Sequence, residues 1–244
     1  MESIDYQIDG AEETAVRYTE YQYDRRGQTT GYAELSQENE PTADEIKAHQ
    51  IRYYYDSDGK LTKVTYPTTK NGVHALSYEY DQNGWLTKIK GEIQSGDGST
   101  EKTVRSYTYD SYGNVSSVTT DGRTYTCYLW SYCNQYPIAK IVNVTYDALL
   151  SALGKDKAWV EQLGNMTSPD TEMETINSLR QKLPEAQVYT YTHRILVGVT
   201  SITEPDGMTT YFEYDTFGRV VRSYILENGV PKTLSTNEYN TPKF

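Results

Sequence analysis

The sequence predicts a mainly β protein: an antiparallel meander of β-hairpins in a curled or rolled sheet, with a small helical insertion at about 147–183. Three observations predict it. A skeleton Tyr-x-Tyr-Asp-x-x-Gly recurs along the chain, and a repeat of this kind sets the architecture. Asn-Gly and Asp-Gly pairs, among the strongest short hairpin signals, fall between the copies. Tyr accounts for 25 of 244 residues, against 3 Trp and 3 Phe, and a phenol ring packs well on a pleated sheet with its hydroxyl toward water. Residues 1–244 read as a single β domain that carries the helical insertion within it.

The best copy is Tyr78-Glu79-Tyr80-Asp81-Gln82-Asn83-Gly84-Trp85. Residues i and i+2 of a strand share a face, so Tyr78 and Tyr80 stand together. Asp81 takes the first turn position, where its carboxylate can accept backbone N–H groups, and Gly84 supplies the positive φ of a bulged type I turn. The same turn pair occurs as Asp24 and Gly27, Asp56 and Gly59, Asp110 and Gly113, and Asp215 and Gly218. Returning apolar residues are spaced by three: Leu61 and Val64, Leu86 and Ile89, Val115 and Val118. Either a bulge shifts the phase after the turn, or both sheet faces are partly covered.

In chain order, Tyr6, Ile8, Val16, Tyr18, Tyr21 and Tyr23 predict opening strands, and Thr29 to Leu35 return. Residues 36–50 are acidic and lose the pattern, which predicts a loop with room for one helical turn after Pro41. Strand, Tyr-Asp turn and strand then repeat through residue 136, with Asp56, Asp81 and Asp110 spaced 25 and 29 residues apart. Asn71-Gly72, Gly96-Asp97-Gly98 and Asp121-Gly122 are expected to be the connecting turns. Residues 137–146 read as a transition. Ala148 to Leu153 predicts a helix stopped by Gly154, and Asp156 caps a second run, Lys157 to Leu163, stopped by Gly164. Ser168-Pro169-Asp170 reads as a third N-terminus, followed by a stripe of Met173, Ile176, Leu179 and Leu183 that must cover apolar sheet. Strands resume at Val188, with turns at Pro205-Asp206-Gly207 and Asn228-Gly229, and the tail from Asn240 is expected to fray.

The formal net charge of −11 argues against a nucleic-acid partner, which needs a basic stripe. No run of about 18 apolar residues exists, so no membrane span is expected. No export signal is visible at Met1-Glu2-Ser3; it is either lacking or removed. Cys127 and Cys133 would lie roughly 20 Å apart on one continuous strand, which favours free thiols, although a turn at Ser131-Tyr132 would bring them closer.

Chemistry is scarce. Asp56-Ser57-Asp58-Gly59 and Asp81-Gln82-Asn83-Gly84 resemble the start of a calcium loop but lack its distal Glu, and turn formation explains them. No nucleophile elbow, His-Glu-x-x-His helix or phosphate loop is present, and His193 reads as strand surface. A glycosidase needs two facing carboxylates, and 34 acidic residues single out no pair. The expectation is no enzyme, no cofactor and no metal. Trp85, Trp130, Tyr78 and Tyr80 are the candidate ligand-binding residues, since their rings could stack on sugars; packing within the sheet is the plainer role for each.

These residues resemble the YD-repeat, or Rhs-repeat, family. Phe212-Glu213-Tyr214-Asp215-Thr216-Phe217-Gly218-Arg219-Val220-Val221 is the best match to its signature, and Tyr80-Asp81 to Leu86 and Tyr109-Asp110 to Val115 follow. Tyr128 to Ile138, the helical insert and Gly198 to Asp215 look similar to C-terminal parts of Rhs-like proteins of Bacteroides-type bacteria. The resemblance implies a secreted or cell-surface bacterial protein, hence an extracellular location. It implies binding or adhesion, with a glycan or another surface protein as partner. In large members the repeats wind into a shell around a toxin. This chain is too short to close such a shell and lacks the Asp-Pro-x-Gly motif that precedes a released toxin, so toxin delivery by itself is not expected. The alternative reading is a shell fragment with no ligand of its own.

Overall fold

The computed structural model describes residues 2–5, 16–37, 39–67, 71–95 and 98–239. Tyr6, Ile8, Gly96-Asp97 and the tail from Asn240 lie outside them. The fold is mainly β, an open antiparallel meander in which each strand pairs with the next along the chain. It divides into two compact units, residues 1–106 and 107–244.

The first unit contains β1 (Glu2–Asp5), β2 (Val16–Tyr23), β3 (Thr29–Gln37), α1 (Ala43–Ala48), β4 (Ile51–Tyr55), β5 (Leu61–Thr65), β6 (Asn71–Tyr80), β7 (Leu86–Ser95) and β8 (Gly98–Tyr109), which runs past the unit's last residue. Among its described residues the buried aliphatic side chains are small or few, among them Ala33, Leu35, Val64 and Ala75. Half-buried tyrosines supply the remaining apolar cover, as the composition requires. One local expectation is met and one corrected here. The helical turn expected after Pro41 is present as α1, with a capping box, while β3 runs on to Gln37. Glu45 N–H donates to Thr42 Oγ1, and Thr42 N–H donates to Glu45 Oε2 at 2.7 Å. Asn71-Gly72 is not a turn; both residues lie in β6 opposite Ser95 and Gln94. The long β7 extends the ladder past the point where the chain leaves β5, so the connection falls earlier, closed by Tyr66 N–H on His74 O at 2.8 Å.

The second unit contains β9 (Val115–Thr120), β10 (Thr124–Ser131), β11 (Tyr136–Val142), α2 (Tyr146–Leu153), α3 (Lys157–Asn165), α4 (Met173–Asn177), α5 (Leu179–Lys182), β12 (Gln187–Arg194), β13 (Gly198–Thr203), β14 (Thr209–Tyr214), β15 (Val220–Glu227) and β16 (Val230–Thr236). The stretch expected as a transition is therefore largely strand β11, whose Ile138, Ala139 and Ile141 are fully buried. Asp121-Gly122 and Asn228-Gly229 form the expected tight turns, each with two positive φ values.

The helices cover the sheet as the apolar stripe requires. Leu149, Leu163, Ile176 and Leu179 share one core with Cys127, Leu129, Ile138, Ile141 and Val188. Gly154 ends α2 at φ 66°, and Asp156 caps α3 by accepting Trp159 N–H at 2.9 Å. Gly164 does not end α3. Its missing side chain instead leaves room for Asn134, which any Cβ there would overlap. Ser168 does not cap α4 either. Pro169 O accepts the N–H groups of Glu172 and Met173 in a preceding turn, and the helix begins at Met173. The stripe is split at Ser178, whose hydroxyl donates to Thr175 O at 2.6 Å and so competes with the helical ladder.

Both cysteines are free. Cys127 is buried with its thiol donating to Val144 O, and burial pushes its pKa up to about 12, whereas Cys133 sits exposed on the β10–β11 turn. A thiol reagent at neutral pH is expected to modify Cys133 alone in the folded chain and both residues in denaturant. Reaction of both at equal rates before unfolding would contradict this packing.

Candidate functional site

The five Tyr-Asp turns share one construction. Asp81 Oδ1 accepts the N–H groups of Asn83 and Trp85, each at 2.9 Å; Asp81 N–H donates to Trp85 O, and Gly84 N–H donates to Asp81 O. Gly84 sits at φ 83°, where an L side chain is strained. Asp24, Asp56, Asp110 and Asp215 each accept the equivalent pair of N–H groups. In each turn Oδ1 is therefore committed to closing the backbone. Glu204 to Met208 forms the same backbone frame without a leading Asp, at the turn expected from Pro205-Asp206-Gly207.

Each motif hairpin in β2–β3, β4–β5, β6–β7 and β14–β15 has a register shift just before its second Tyr. Tyr55 lies opposite Leu61 while Tyr54 lies opposite Lys63, so Thr62 is the extra residue. This bulge resolves the spacing by three: it returns Leu61 and Val64 to one face, opposite Tyr55 and Tyr53. Thr62 and Thr87 hydroxyls then donate back to Tyr54 O and Glu79 O, each at 3.1 Å.

The second Tyr also ties each repeat to the one before. Tyr55 Oη donates to Thr29 O, Tyr80 Oη to Leu61 O and Tyr214 Oη to Val199 O, at 2.7–2.9 Å. The side chain at the last turn position reaches the next turn in the same way: Gln28 Nε2 donates to Gly59 O, and Asn114 Nδ2 to Asn134 O. Tyr80→Phe is expected to lower stability by about 1 kcal/mol, read as a shift in the urea midpoint. An unchanged midpoint would mean that this bond contributes nothing.

Burial raises the hydroxyl pKa of Tyr55, Tyr78, Tyr80, Tyr132 and Tyr191, and pushes that of Tyr146 up to about 12. Between pH 10 and these folded-state values the unfolded chain has released protons that the folded chain retains. Stability is thus complete below about pH 10 and falls as pH rises toward 12. An alkaline titration followed by circular dichroism should show cooperative loss of structure in that window; full structure above it would refute the assignment.

The four candidate ligand-binding residues lie in different surroundings. Tyr78 and Tyr80 share a face of β6 and are half-buried, with Lys60 Nζ 5.7 Å from the centre of the Tyr80 ring. Trp85 is half-buried at the end of its turn. Trp130, in the second unit, donates Nε1–H to Val115 O at 2.8 Å. The structure therefore brings Tyr78 and Tyr80 together and holds Trp130 on another unit. His193 is not plain strand surface. It stacks on Tyr136 at 4.9 Å and meets Tyr132 edge-on, and burial lowers its pKa. The most exposed tyrosines of the first unit are instead Tyr21 and Tyr23, stacked at 6.3 Å, and Tyr54. Strand alternation in the first two copies separates Tyr54 from Tyr53 and Tyr55, but no sequence pattern tells which face is left open.

Among the described residues no group of three or more His, Cys, Asp or Glu is placed to hold a metal, and no helix is long and apolar enough to cross a membrane.

Residues 55–100 match the model of the RHS Repeat family. Nothing among curated proteins matches the sequence. Among solved structures, the chain is similar to a chain of the TcdB2-TccC3-Cdc42 crystal structure, with 13% identity and a TM-score of 0.52 over 94% of this chain and 11% of that one. It is likewise similar to a chain of the TcdB2-TccC3-TEV crystal structure, with 14% identity and a TM-score of 0.52 over 96% of this chain and 12% of that one. A chain of the Photorhabdus luminescens Tc holotoxin pore gives 13% identity and a TM-score of 0.51 over 95% and 11%. These likenesses establish the shared β fold, and the chain spans only about a ninth of the length of those chains.

Proposed function

We propose that this chain, whose residues 55–100 match the RHS Repeat family, is a non-enzymatic Rhs/YD-repeat module of a secreted or cell-surface bacterial protein, acting in binding or adhesion with a glycan as ligand. One observation carries the reading: the motif's polar groups are consumed by the scaffold. The Asp carboxylates close turns and three of the Tyr hydroxyls clamp neighbouring hairpins. What remains for a partner is the ring faces and the strand surface between them. Anchoring Tyr80 and Trp130 through their polar atoms also holds their rings still, which reduces the entropy lost when a sugar stacks on them. Trp85, Tyr78 and Tyr80, joined by the exposed pair Tyr21 and Tyr23, are the proposed contact residues of the first unit, and Trp130 is a separate one in the second.

A glycan array on the purified chain tests this. Binding to a defined glycan, weakened about tenfold by Trp85→Ala or by Tyr21→Ala with Tyr23→Ala, supports it. Binding that survives all of these changes, or none at all, counts against it.

A second reading is favoured by the fold likeness, which extends over 94% of this chain while covering 11% of the chain compared. On that reading the module is a segment of a larger shell and has no ligand of its own. It expects an empty array, and it expects the segment to resist proteases better when flanked by further repeats than when alone.

A further inference from the structure

The first unit carries a groove of about 580 Å³ whose lining includes Glu20, Gln22, Lys47, Gln50, Arg52 and Tyr53. Gln22, Gly31 and Arg52 stand in one row across β2, β3 and β4. The middle of the row has no side chain. A Cβ at Gly31 would overlap Gln50 Nε2 and come within 2.9 Å of Gln22 Oε1, so the two amides meet above a bare backbone and form the groove floor. Gln50 is buried at 8% exposure and accepts Arg52 Nε–H at 3.0 Å. Gln22 Nε2 donates to Glu20 Oε1 at 3.0 Å. Ile46 and Lys47 of α1 and the exposed Tyr54 line the rest.

The result is a polar track with a carboxylate on one side and a guanidinium on the other. Among the described residues Glu20 and Arg52 form no ion pair, and neither does Lys47, whereas Lys63 on β5 and Lys88 and Lys90 on β7 are paired with glutamates. Two unlike charges left single beside a groove call for a ligand that brings both opposite charges. We propose that this groove binds a short zwitterionic peptide of about three residues. Its carboxylate meets Arg52 with Lys47 nearby, its ammonium meets Glu20, and its peptide groups lie along the amides of Gln22 and Gln50.

Length supports the assignment. Arg52 stands in the row of Gln22 and Gly31, while Glu20 lies one pleat along β2, opposite Ala33, so the two backbones stand on the order of 12 Å apart, two strand spacings across and about 7 Å along, and both side chains lean into the space between. The ends of an extended tripeptide are separated by about 10 Å. A single amino acid is too short to meet both charges, and a neutral sugar would leave both unmet. Tyr54 and Ile46 offer an apolar wall to one peptide side chain. This site is separate from the proposed glycan-contact residues, so either assignment can fail without the other.

The test is calorimetric titration of the full chain with trialanine, trialanine amide, N-acetyl-trialanine and a neutral disaccharide. Trialanine should bind best. Amidation should weaken binding about tenfold, the loss of one charge-assisted contact, and acetylation by a similar factor. Arg52→Gln should erase the effect of amidation but keep that of acetylation, and Glu20→Gln the reverse; both variants should melt as the parent does. Equal binding of free and blocked peptides, no binding of trialanine at millimolar concentration, or unchanged discrimination in both variants would overturn the proposal. Binding of the disaccharide in place of the peptide would overturn it too, while leaving the glycan reading intact.

Discussion

Leu129→Ala is expected to lower the unfolding free energy by about 3–4 kcal/mol, the largest effect of any single substitution considered for this chain. Leu129 is fully buried on β10 and belongs to the cluster that joins β10–β12 to the covering helices. Removing its side chain loses the transfer energy of three carbon atoms and leaves a cavity. Other members of the cluster, such as Leu149, Leu163 and Ile138, are held by their own elements and can collapse only partly. Denaturant unfolding followed by tryptophan fluorescence measures it, since Trp159 belongs to the same core. Leu226→Ala is the control: Leu226 is 47% exposed on β15, and the expected change is below about 1 kcal/mol. Equal effects for the two would mean that the helices do not cover the sheet as described.

Arg180→Met should destabilise by about 2–3 kcal/mol although the new side chain keeps most of the apolar stem. The Arg180 guanidinium donates to Asn177 Oδ1, Thr190 Oγ1, Thr203 O and Glu204 O, at 2.6–3.1 Å. It thereby pins α5 to β12 and to the end of β13. Burial lowers its pKa from the usual guanidinium value, but with the group so far above neutrality the cation persists. Met removes all four donors and leaves two backbone carbonyls to find water. Arg180→Lys keeps the charge but not the planar fork, so it should fall between the two. If Arg180→Met melts with the parent, the bonds are surface contacts of no consequence.

The same contrast runs through what the chain reveals in advance. The Asp81 and Gly84 turn is legible because its cause is local: a carboxylate two to four residues from the N–H groups it accepts, and a glycine where φ must be positive. The hairpin order follows from it, as do the caps at Asp156 and Gly154. The Thr42-x-x-Glu45 pattern carries the signal for α1, yet the acidic, pattern-free surroundings read as loop. Asn71-Gly72 misleads for the opposite reason, because a strong local turn signal yields to a long ladder with β7.

Of the candidate site, the sequence yields residue types but not surfaces. The repeated Tyr, Asp and Gly by themselves determine the closed turn and its hairpin, which depend on contacts within a few residues; the spacing by three allows two readings, and the strand register decides for the bulge. Tertiary structure alone decides which ring is anchored and which is open, because Tyr80 finds its acceptor at Leu61, in the preceding repeat. It alone builds the Glu20 to Arg52 groove, which needs three strands in register and a bare glycine between them. The β10–β11 turn is the plainest case. Tyr132, Cys133 and Asn134 all adopt positive φ, a conformation that costs such residues about 1–2 kcal/mol each. It persists because Ser131, Cys133 and Asn134 donate to the carbonyls of Leu163, Met166 and Gly164 at the end of α3. Helix-end carbonyls need partners from outside the helix, and no local pattern in the chain predicts that they would be met there.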